Sequence, residues 1–290
     1  MNSSIQDILR THGKQLEAAL NLEAGSARIE VQSLLQLVLR VNRAWLLGHP
    51  ERLLDTDQHD RYTALFERRL RGEPVAYLLG EREFYGLNFK VSPATLIPRP
   101  ETELLVELTL QRIPRQGACR VLDLGTGSGA IALSIAHARP DTEVTAADAS
   151  AAALEVAQCN AHRLEVRNVR LLLSDWFSAL GDERFDIIVA NPPYIAADDA
   201  HLTQGDVRFE PRAALASGKD GLDDIRRICA QAGEHLSENG WLMLEHGYDQ
   251  AAQVRALLQQ SGFEQIFSAR DLAGIERVSG GINAAKKTAG

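Results

Sequence analysis

Residues 120–131 read Arg120-Val121-Leu122-Asp123-Leu124-Gly125-Thr126-Gly127-Ser128-Gly129-Ala130-Ile131. The first five form a short apolar run with the length of a buried strand, the next five alternate glycine with small residues, and Ala130 to Ala136 continues as an apolar helix. A strand, a glycine turn and a helix bring backbone N–H groups against a ligand at a helix N-terminus. The glycines follow a G-x-G-x-G spacing and depart from the G-x-G-x-x-G of dinucleotide sites. A second strand, Glu143 to Ala147, ends in Asp148, about 20 residues past the turn, where a carboxylate can hold ribose hydroxyls. The plainer role for Asp148 is to cap the Ala-rich helix that follows. A third strand, Val169 to Leu173, leads into Ser174-Asp175-Trp176-Phe177. There Asp175 can accept from an adenine amino group and Trp176 can cover the ring face; the alternative is a surface turn with a buried tryptophan. Together these stretches predict an α/β domain that binds a nucleoside.

The next apolar run, Phe185 to Ala190, reads as a strand buried on both faces, and Asn191-Pro192-Pro193-Tyr194 follows it. Asn191 therefore falls at or just past the C-terminal end of a strand, where open α/β sheets place their ligands. Two prolines fix φ and remove two N–H donors, leaving a stiff turn rich in acceptors. The Asn191 side-chain oxygen and the Pro192 carbonyl can take the two N–H bonds of a planar NH2 group, with Tyr194 as an aromatic wall. Asn and Pro also form ordinary turns, so the glycine turn upstream is what favours the functional reading.

Outward from this core, residues 1–75 show helical periodicity. Ser4 can cap a first helix with Ile5, Ile8, Leu9, Leu16 and Leu20 on one side; a second helix starts near Ala27, a short segment surrounds Trp45, and another helix runs from about Asp57 to Arg71. From Val75 to Pro98 the period becomes two, predicting a β-hairpin around Gly86. Ile97-Pro98-Arg99-Pro100-Glu101-Thr102-Glu103 is either a linker before a proline-started helix or a rigid wall of the cleft. The polar stretch 195–219 is long for a connection inside a compact domain, which points to function. A helix from about Asp220 to Leu236, a strand over Trp241 to Glu245, a helix near Asp249 to Gln260 and strands around Glu264–Phe267 and Ile275–Val278 complete the chain. The expected organisation is a helical bundle over 1–75 for substrate docking, a hairpin linker over 76–100, a catalytic domain over 101–283 and a fraying tail over 284–290.

With 290 residues, 45% of them hydrophobic, the chain can bury substantial cores. The net charge of −8 argues against a broad, non-specific hold on phosphate backbones. Cys119, Cys159 and Cys229 are widely spaced, without a CxxC pair, and read as reduced buried thiols of a cytoplasmic protein. No run approaches the roughly 18 apolar residues of a membrane span, and no export signal is visible at the N-terminus. There is no G-x-S-x-G elbow, Walker lysine, H-E-x-x-H or metal-spaced acid cluster. What remains is a nucleoside site beside an NH2 clamp, a combination that suits group transfer to nitrogen from a donor carrying its own activation, such as a sulfonium methyl.

Asp123 through Gly129, Asp148, Asp175-Trp176 and Asn191-Pro192-Pro193-Tyr194 resemble the motifs of class I S-adenosylmethionine-dependent methyltransferases. The N-terminal helices, Glu83-Phe84-Tyr85-Gly86, Pro98 to Glu103 and Arg208-Phe209-Glu210-Pro211 resemble, within that class, the PrmC/HemK family of release-factor glutamine N5-methyltransferases. The resemblance covers nearly the whole chain. It implies a Rossmann-like methyltransferase domain carrying an N-terminal all-helical domain and a linking hairpin. It implies a donor site of Asp123, Gly125, Thr126, Gly127, Ser128, Gly129, Asp148, Asp175, Trp176 and Asn191, with S-adenosyl-L-homocysteine as product. Asn191, Pro192, Pro193 and Tyr194 would hold the substrate glutamine, with Asn191, Pro192 and Tyr194 as the catalytic set, and no metal. The implied partner of a monomeric enzyme is a class I release factor, with no stable nucleic-acid or membrane partner. Two alternatives stay open: amino methylation of adenine or guanine by the same clamp, and a nucleoside-binding scaffold without catalysis.

Overall fold

The computed structural model describes residues 3–114 and 117–284; the tail expected over 284–290 lies, from residue 285 on, outside the described residues. The chain divides into two compact units, one of residues up to Glu81 with Thr203–Phe209, the other of Arg82–Leu202 with the chain from Glu210 onward.

The first unit is helical: α1 (Ile5–Leu20), α2 (Ala24–Leu39), α3 (Arg43–Gly48), α4 (Thr56–Leu70) and α5 (Val75–Leu79). Its helices start at local signals. The Ser4 hydroxyl accepts from Asp7 N, Asn42 Oδ1 accepts from Trp45 N, and Asp55 and Gln58 form a reciprocal capping box. Leu16, Val31, Leu34, Leu35, Leu46, Tyr62 and Phe66 close one apolar core. Within it Arg69, only 2% exposed, donates to both Glu30 oxygens at 2.7 and 3.1 Å and to Asp206 at 2.9 Å. Asp206 belongs to the long connection, so part of residues 195–219 is an element of the helical unit. Helix α5 differs from the hairpin periodicity expected from Val75 onward. Pro74 starts it, Gly80 at φ +73° ends it, and Ala76, Tyr77 and Leu78 are all buried, a helical turn that a two-residue period misreads.

The hairpin itself is β1 (Glu81–Phe84) and β2 (Leu87–Lys90), joined by Tyr85 and Gly86 with φ of +51° and +74°, the two left-handed positions of a type I′ turn. Then follow α6 (Glu103–Arg112), β3 (Arg120–Leu124), α7 (Ala130–Ala138), β4 (Glu143–Asp148), α8 (Ala151–Arg163), β5 (Val169–Leu173), β6 (Phe185–Ala190), α9 (Asp223–His235), β7 (Leu236–Glu245), α10 (Ala251–Gln260), β8 (Phe263–Arg270) and β9 (Glu276–Asn283). Asn283 thus closes the last strand.

Strands β3 to β9 form one sheet in the order β5-β4-β3-β6-β7-β9-β8, parallel from β5 through β7 and antiparallel at β9 and β8. Alternate residues feed two cores. Val121, Ile187 and Val189 face one, with α6, α7 and the hairpin; Leu122, Leu124, Ile188 and Ala190 face the other, with α9 and α10. Burial on both faces explains why β3 and β6 read as continuous apolar runs. No helix among the described residues is long and apolar enough to cross a membrane.

One buried side chain ties three elements of this unit together. Asn160 of α8, fully buried, donates from Nδ2 to the carbonyls of Lys90 and Ser128 at 2.9 Å each and accepts from Lys90 N at 2.7 Å. It clamps strand β2 and the glycine turn to α8. Asn160→Ala leaves those three backbone groups unpaired, at about 1–3 kcal/mol for each buried group left unsatisfied. The expected result is a loss of roughly 2–4 kcal/mol in urea unfolding followed by tryptophan fluorescence. An unchanged midpoint would mean that water or a shifted loop replaces the clamp.

Candidate active site

The site starts from strand register. Leu124 at the end of β3 pairs with Ala147 of β4 and Ala190 of β6, Ala190 pairs with Leu244 of β7, and Asp148 pairs with Leu173 of β5. The next residues on each strand therefore emerge along one edge of the sheet, in the order Ser174, Asp148, Gly125, Asn191 and Glu245. The chain runs outward from β3 through β4 to β5 and returns to the other side of β3 as β6. The gap between β3 and β6 is thus the switch point where open sheets of this kind bind ligands.

The glycine turn is strapped down on its protein side. Gly125 N and Thr126 N donate to the Ala147 carbonyl at 2.8 and 3.0 Å, and Gly127 N donates to Asp148 Oδ2 at 2.8 Å. Gly125 has φ +71°, so the position favours glycine for its conformation, and a Cβ there would rest 3.4 Å from the Trp176 ring, in van der Waals contact. At Gly127, φ +56°, nothing lies within 4 Å of an added Cβ. The turn has a closed side toward Trp176 and an open side at Gly127.

The acids of the site have different tasks. Asp123 is fully buried; its Oδ2 accepts from the Thr126 hydroxyl at 2.6 Å and from Ala132 N at 3.2 Å, while Oδ1 has no partner. It shapes the turn from beneath. Burial pushes its carboxyl up to about 7 against those hydrogen bonds. Asp148 accepts from Gly127 N with one oxygen and from Ser150 N, at 2.8 Å, with the other. The cap of the following helix is Ser150, whose hydroxyl accepts from Ala153 N, so Asp148 is not the helix cap. Burial also raises its pKa. Asp175 is exposed, with Oδ2 paired to Arg227 at 3.0 Å. Trp176, in the left-handed region at φ +50°, donates from its indole nitrogen to Asp224 at 3.2 Å and keeps its ring against Gly125. Ser128 is buried and lends its carbonyl to Asn160.

At the other side of the switch point, Asn191 donates from Nδ2 to the Thr102 hydroxyl at 3.2 Å, and Pro192 is buried. Among the described residues no protein donor meets Asn191 Oδ1 or the Pro192 carbonyl. Tyr194 is held at both ends, its hydroxyl toward Glu245 at 3.4 Å and its carbonyl by Gln250 Nε2 at 3.0 Å. Burial, then the nearby Glu245, push its phenol pKa up. The 98–103 segment is fastened by Glu210, a fully buried side chain that accepts from Ile97 N at 2.9 Å and pairs with Arg99. Thr102 and Glu245 were not singled out by motif reading. Glu245 carried a usable signal, since it follows the apolar run of β7 just as Asn191 follows that of β6.

A doubly wound sheet with a glycine cradle at its switch point and an acceptor-rich turn beside it defines a class I methyltransferase domain, and the comparisons agree. Residues 101–210 match the family described as methyltransferase small domain, and residues 8–80 match the PrmC N-terminal domain. A release factor glutamine methyltransferase of Bordetella pertussis is 53% identical over 260 residues, 89% of this chain and 96% of that one. One of Salmonella typhimurium is 49% identical, covering 89% and 93%. The solved structure of a methyltransferase from Pyrococcus furiosus, 20% identical, aligns over 76% of this chain and 98% of its own with a TM-score of 0.52, a likeness of fold. The chain belongs to the release factor glutamine methyltransferase family.

The two buried acids set a stability signature. Burial raises Asp123 from an ordinary 3.8, and Glu245 from 4.5, to about 7. The native state then keeps protons that the unfolded chain has released, so this contribution is complete below about pH 4 and is lost as pH rises through about 7. Half-buried His12 and buried His246, with lowered pKa values, act with opposite sign in the same window. The expected observation is therefore a difference. In urea unfolding between pH 4 and 7, Asp123→Asn and Glu245→Gln should each lose less stability with rising pH than the parent chain. Parallel curves for parent and variants would show that these carboxyls are already ionised at pH 4.

Proposed function

We propose that this chain transfers a methyl group from S-adenosyl-L-methionine to the N5 side-chain amide of the glutamine in the Gly-Gly-Gln motif of class I release factors. The observation that carries the reading is the pair of unengaged acceptors, Asn191 Oδ1 and the Pro192 carbonyl, beside the glycine cradle at the switch point. Family membership supplies the reaction. The cradle suits the donor, because the open side at Gly127 leaves room that a side chain would fill, and Asp148, Trp176 and the backbone of Gly125 to Gly129 are grouped around it. When bound, the donor supplies a sulfonium-activated methyl group.

The residues of the chain then have the task of placement. An amide nitrogen is a poor nucleophile because its lone pair is delocalised into the carbonyl. Two acceptors taking its two N–H bonds fix the plane of the NH2 group and favour positive charge on nitrogen as the new bond forms. Tyr194 closes the flat side. Alignment of this kind can supply about 7–11 kcal/mol in favourable cases. The helical unit is the proposed docking element for the release factor, a macromolecule that the clamp alone cannot select.

The experiment is incubation of the purified chain with methyl-labelled donor and a release factor whose Gly-Gly-Gln glutamine is intact or changed to alanine, beside duplex DNA and ribosomal RNA. Label on the intact factor alone is expected. Label on nucleic acid would instead favour amino methylation of a base held in the same clamp. In the same assay Asn191→Ala should lower turnover roughly 100-fold or more, with donor binding by calorimetry nearly intact. Full turnover in that variant would sink the clamp.

A further inference from the structure

Trp176 sits in a conformation that its own backbone does not favour. Its φ of +50° lies in the left-handed region, uncommon for any residue but glycine and kept where the surroundings impose it. Two hydrogen bonds hold it there. The Ser174 hydroxyl donates to the Trp176 carbonyl at 2.7 Å and fixes the turn. The indole nitrogen donates to Asp224 Oδ1 at 3.2 Å and fixes the ring, whose six-membered edge faces Gly125.

Asp224 lies in the first turn of α9, where the positive end of the helix is ordinarily enough to account for an acid. Its neighbour Asp223 fits that account, exposed and paired with Arg226. Asp224 is half-buried and its two oxygens have separate tasks. Oδ1 takes the indole and Oδ2 takes the Ser217 hydroxyl at 2.7 Å, while the Asp224 N–H donates back to Ser217 Oγ at 2.8 Å. Ser217, 2% exposed, donates from its own N–H to the Ile195 carbonyl at 2.9 Å, and the Ile195 N–H donates to the Leu215 carbonyl at 2.9 Å. Ile195 is the residue after Tyr194. A chain of hydrogen bonds therefore runs from the Trp176 ring through Asp224 and Ser217 to the end of Asn191-Pro192-Pro193-Tyr194.

We propose that Asp224 is a positioning residue for the methyl donor: it sets the Trp176 ring beside the glycine cradle, and Ser217 fixes Asp224 to the segment that leaves the clamp. An indole can turn about two side-chain bonds. A hydrogen bond at its N–H edge selects one placement of the ring plane. A ring already in place loses less freedom when a ligand stacks on it, so the bond is felt as donor affinity. Asp224 can hold this placement because its second oxygen and its own N–H are both tied to one buried serine. That serine is itself part of the backbone pairing beside Ile195, so the donor side and the acceptor side of the cleft share one brace.

This inference rests on the donor site proposed above, and its test separates the two. The Kd for S-adenosyl-L-methionine is measured by calorimetry on the full chain. Asp224→Ala should weaken binding about 10-fold. Asp224→Asn, whose amide oxygen can still take the indole proton, should recover most of that loss. Phenylalanine keeps a ring face and removes the N–H, so in a Trp176→Phe chain Asp224→Ala should change the affinity no further. Ser217→Ala should weaken binding and add nothing once Asp224 is alanine. Additive losses in either pair, or parent-like affinity in Asp224→Ala, would overturn the proposal. A readout without donor tells this from a failure of the donor site. In tryptophan-labelled protein the indole N–H resonance of Trp176, identified by its disappearance in Trp176→Phe, should move in Asp224→Ala and stay near its place in Asp224→Asn. A resonance unmoved in Asp224→Ala would exclude the arrangement itself. A resonance that moves as expected, with donor affinity unchanged in Trp176→Ala, would instead remove Trp176 from the donor site and the positioning role with it.

Discussion

The site depends on the parallel register of β3 with β4 and β6, and of β6 with β7. Four strands that end together deliver Asp148, Gly125, Asn191 and Glu245 to one edge. A slip of one residue in any of them would send its end residue to the opposite face and exchange side chains between two cores packed for different shapes. The hydrophobic cores on the two faces therefore act as the gauge of the active site. Leu122, Leu124, Ile188 and Ala190 on one face and Val121, Ile187 and Val189 on the other fix where the polar residues emerge. Nothing in the glycine turn or in Asn191-Pro192-Pro193-Tyr194 could select that alignment locally.

Because the sheet supplies position, the loops are left to supply polarity. Asp123 binds Thr126 and Ala132 inside the turn, Asp148 holds Gly127 from the side, and Asn160 holds the turn from behind through Ser128. Each strap engages backbone groups on the buried side and leaves the open side at Gly127 free. Opposite it, the segment before α6 is fixed through Glu210 and Arg99, so Thr102 meets Asn191 from an element anchored well away from β6 in the chain. The glycine turn and the segment before α6 are thus each held by side-chain hydrogen bonds that local sequence does not announce.

What could be read in the sequence follows the range of the interactions. The strand, glycine turn and helix at 120–136, the strands ending before Asp148 and Asn191, and the capped helices beginning at Ser4 and Asp55 are local patterns, and the fold places elements there. The α5 helix was misread because five residues span little more than one turn, too short for either period to dominate. The pairing of residues 203–209 with the helical unit through Asp206 and Arg69 could not be seen, since 137 residues separate the partners. Asp123 illustrates a different limit. Its place in the motif suggested a ligand contact, yet a carboxylate before a tight turn can equally serve the turn's own N–H and O–H groups, and only burial tells the two apart.

Thr102 and Glu245 show why the most informative residues can be the least conspicuous in a sequence. Thr102 sits in a proline-rich stretch that admits a linker as readily as a cleft wall, and Glu245 ends an apolar strand as many acids do. Neither carries a motif. Their meaning comes from where the fold puts them. Thr102 accepts from Asn191 Nδ2 at 3.2 Å across 89 residues of chain, and Glu245 follows Leu244 just as Asn191 follows its paired residue Ala190. A motif search reads along the chain, whereas both contacts run across the sheet edge, so the register of β6 with β7 and the fastening of the segment before α6 had to be known before either residue could be placed beside the asparagine.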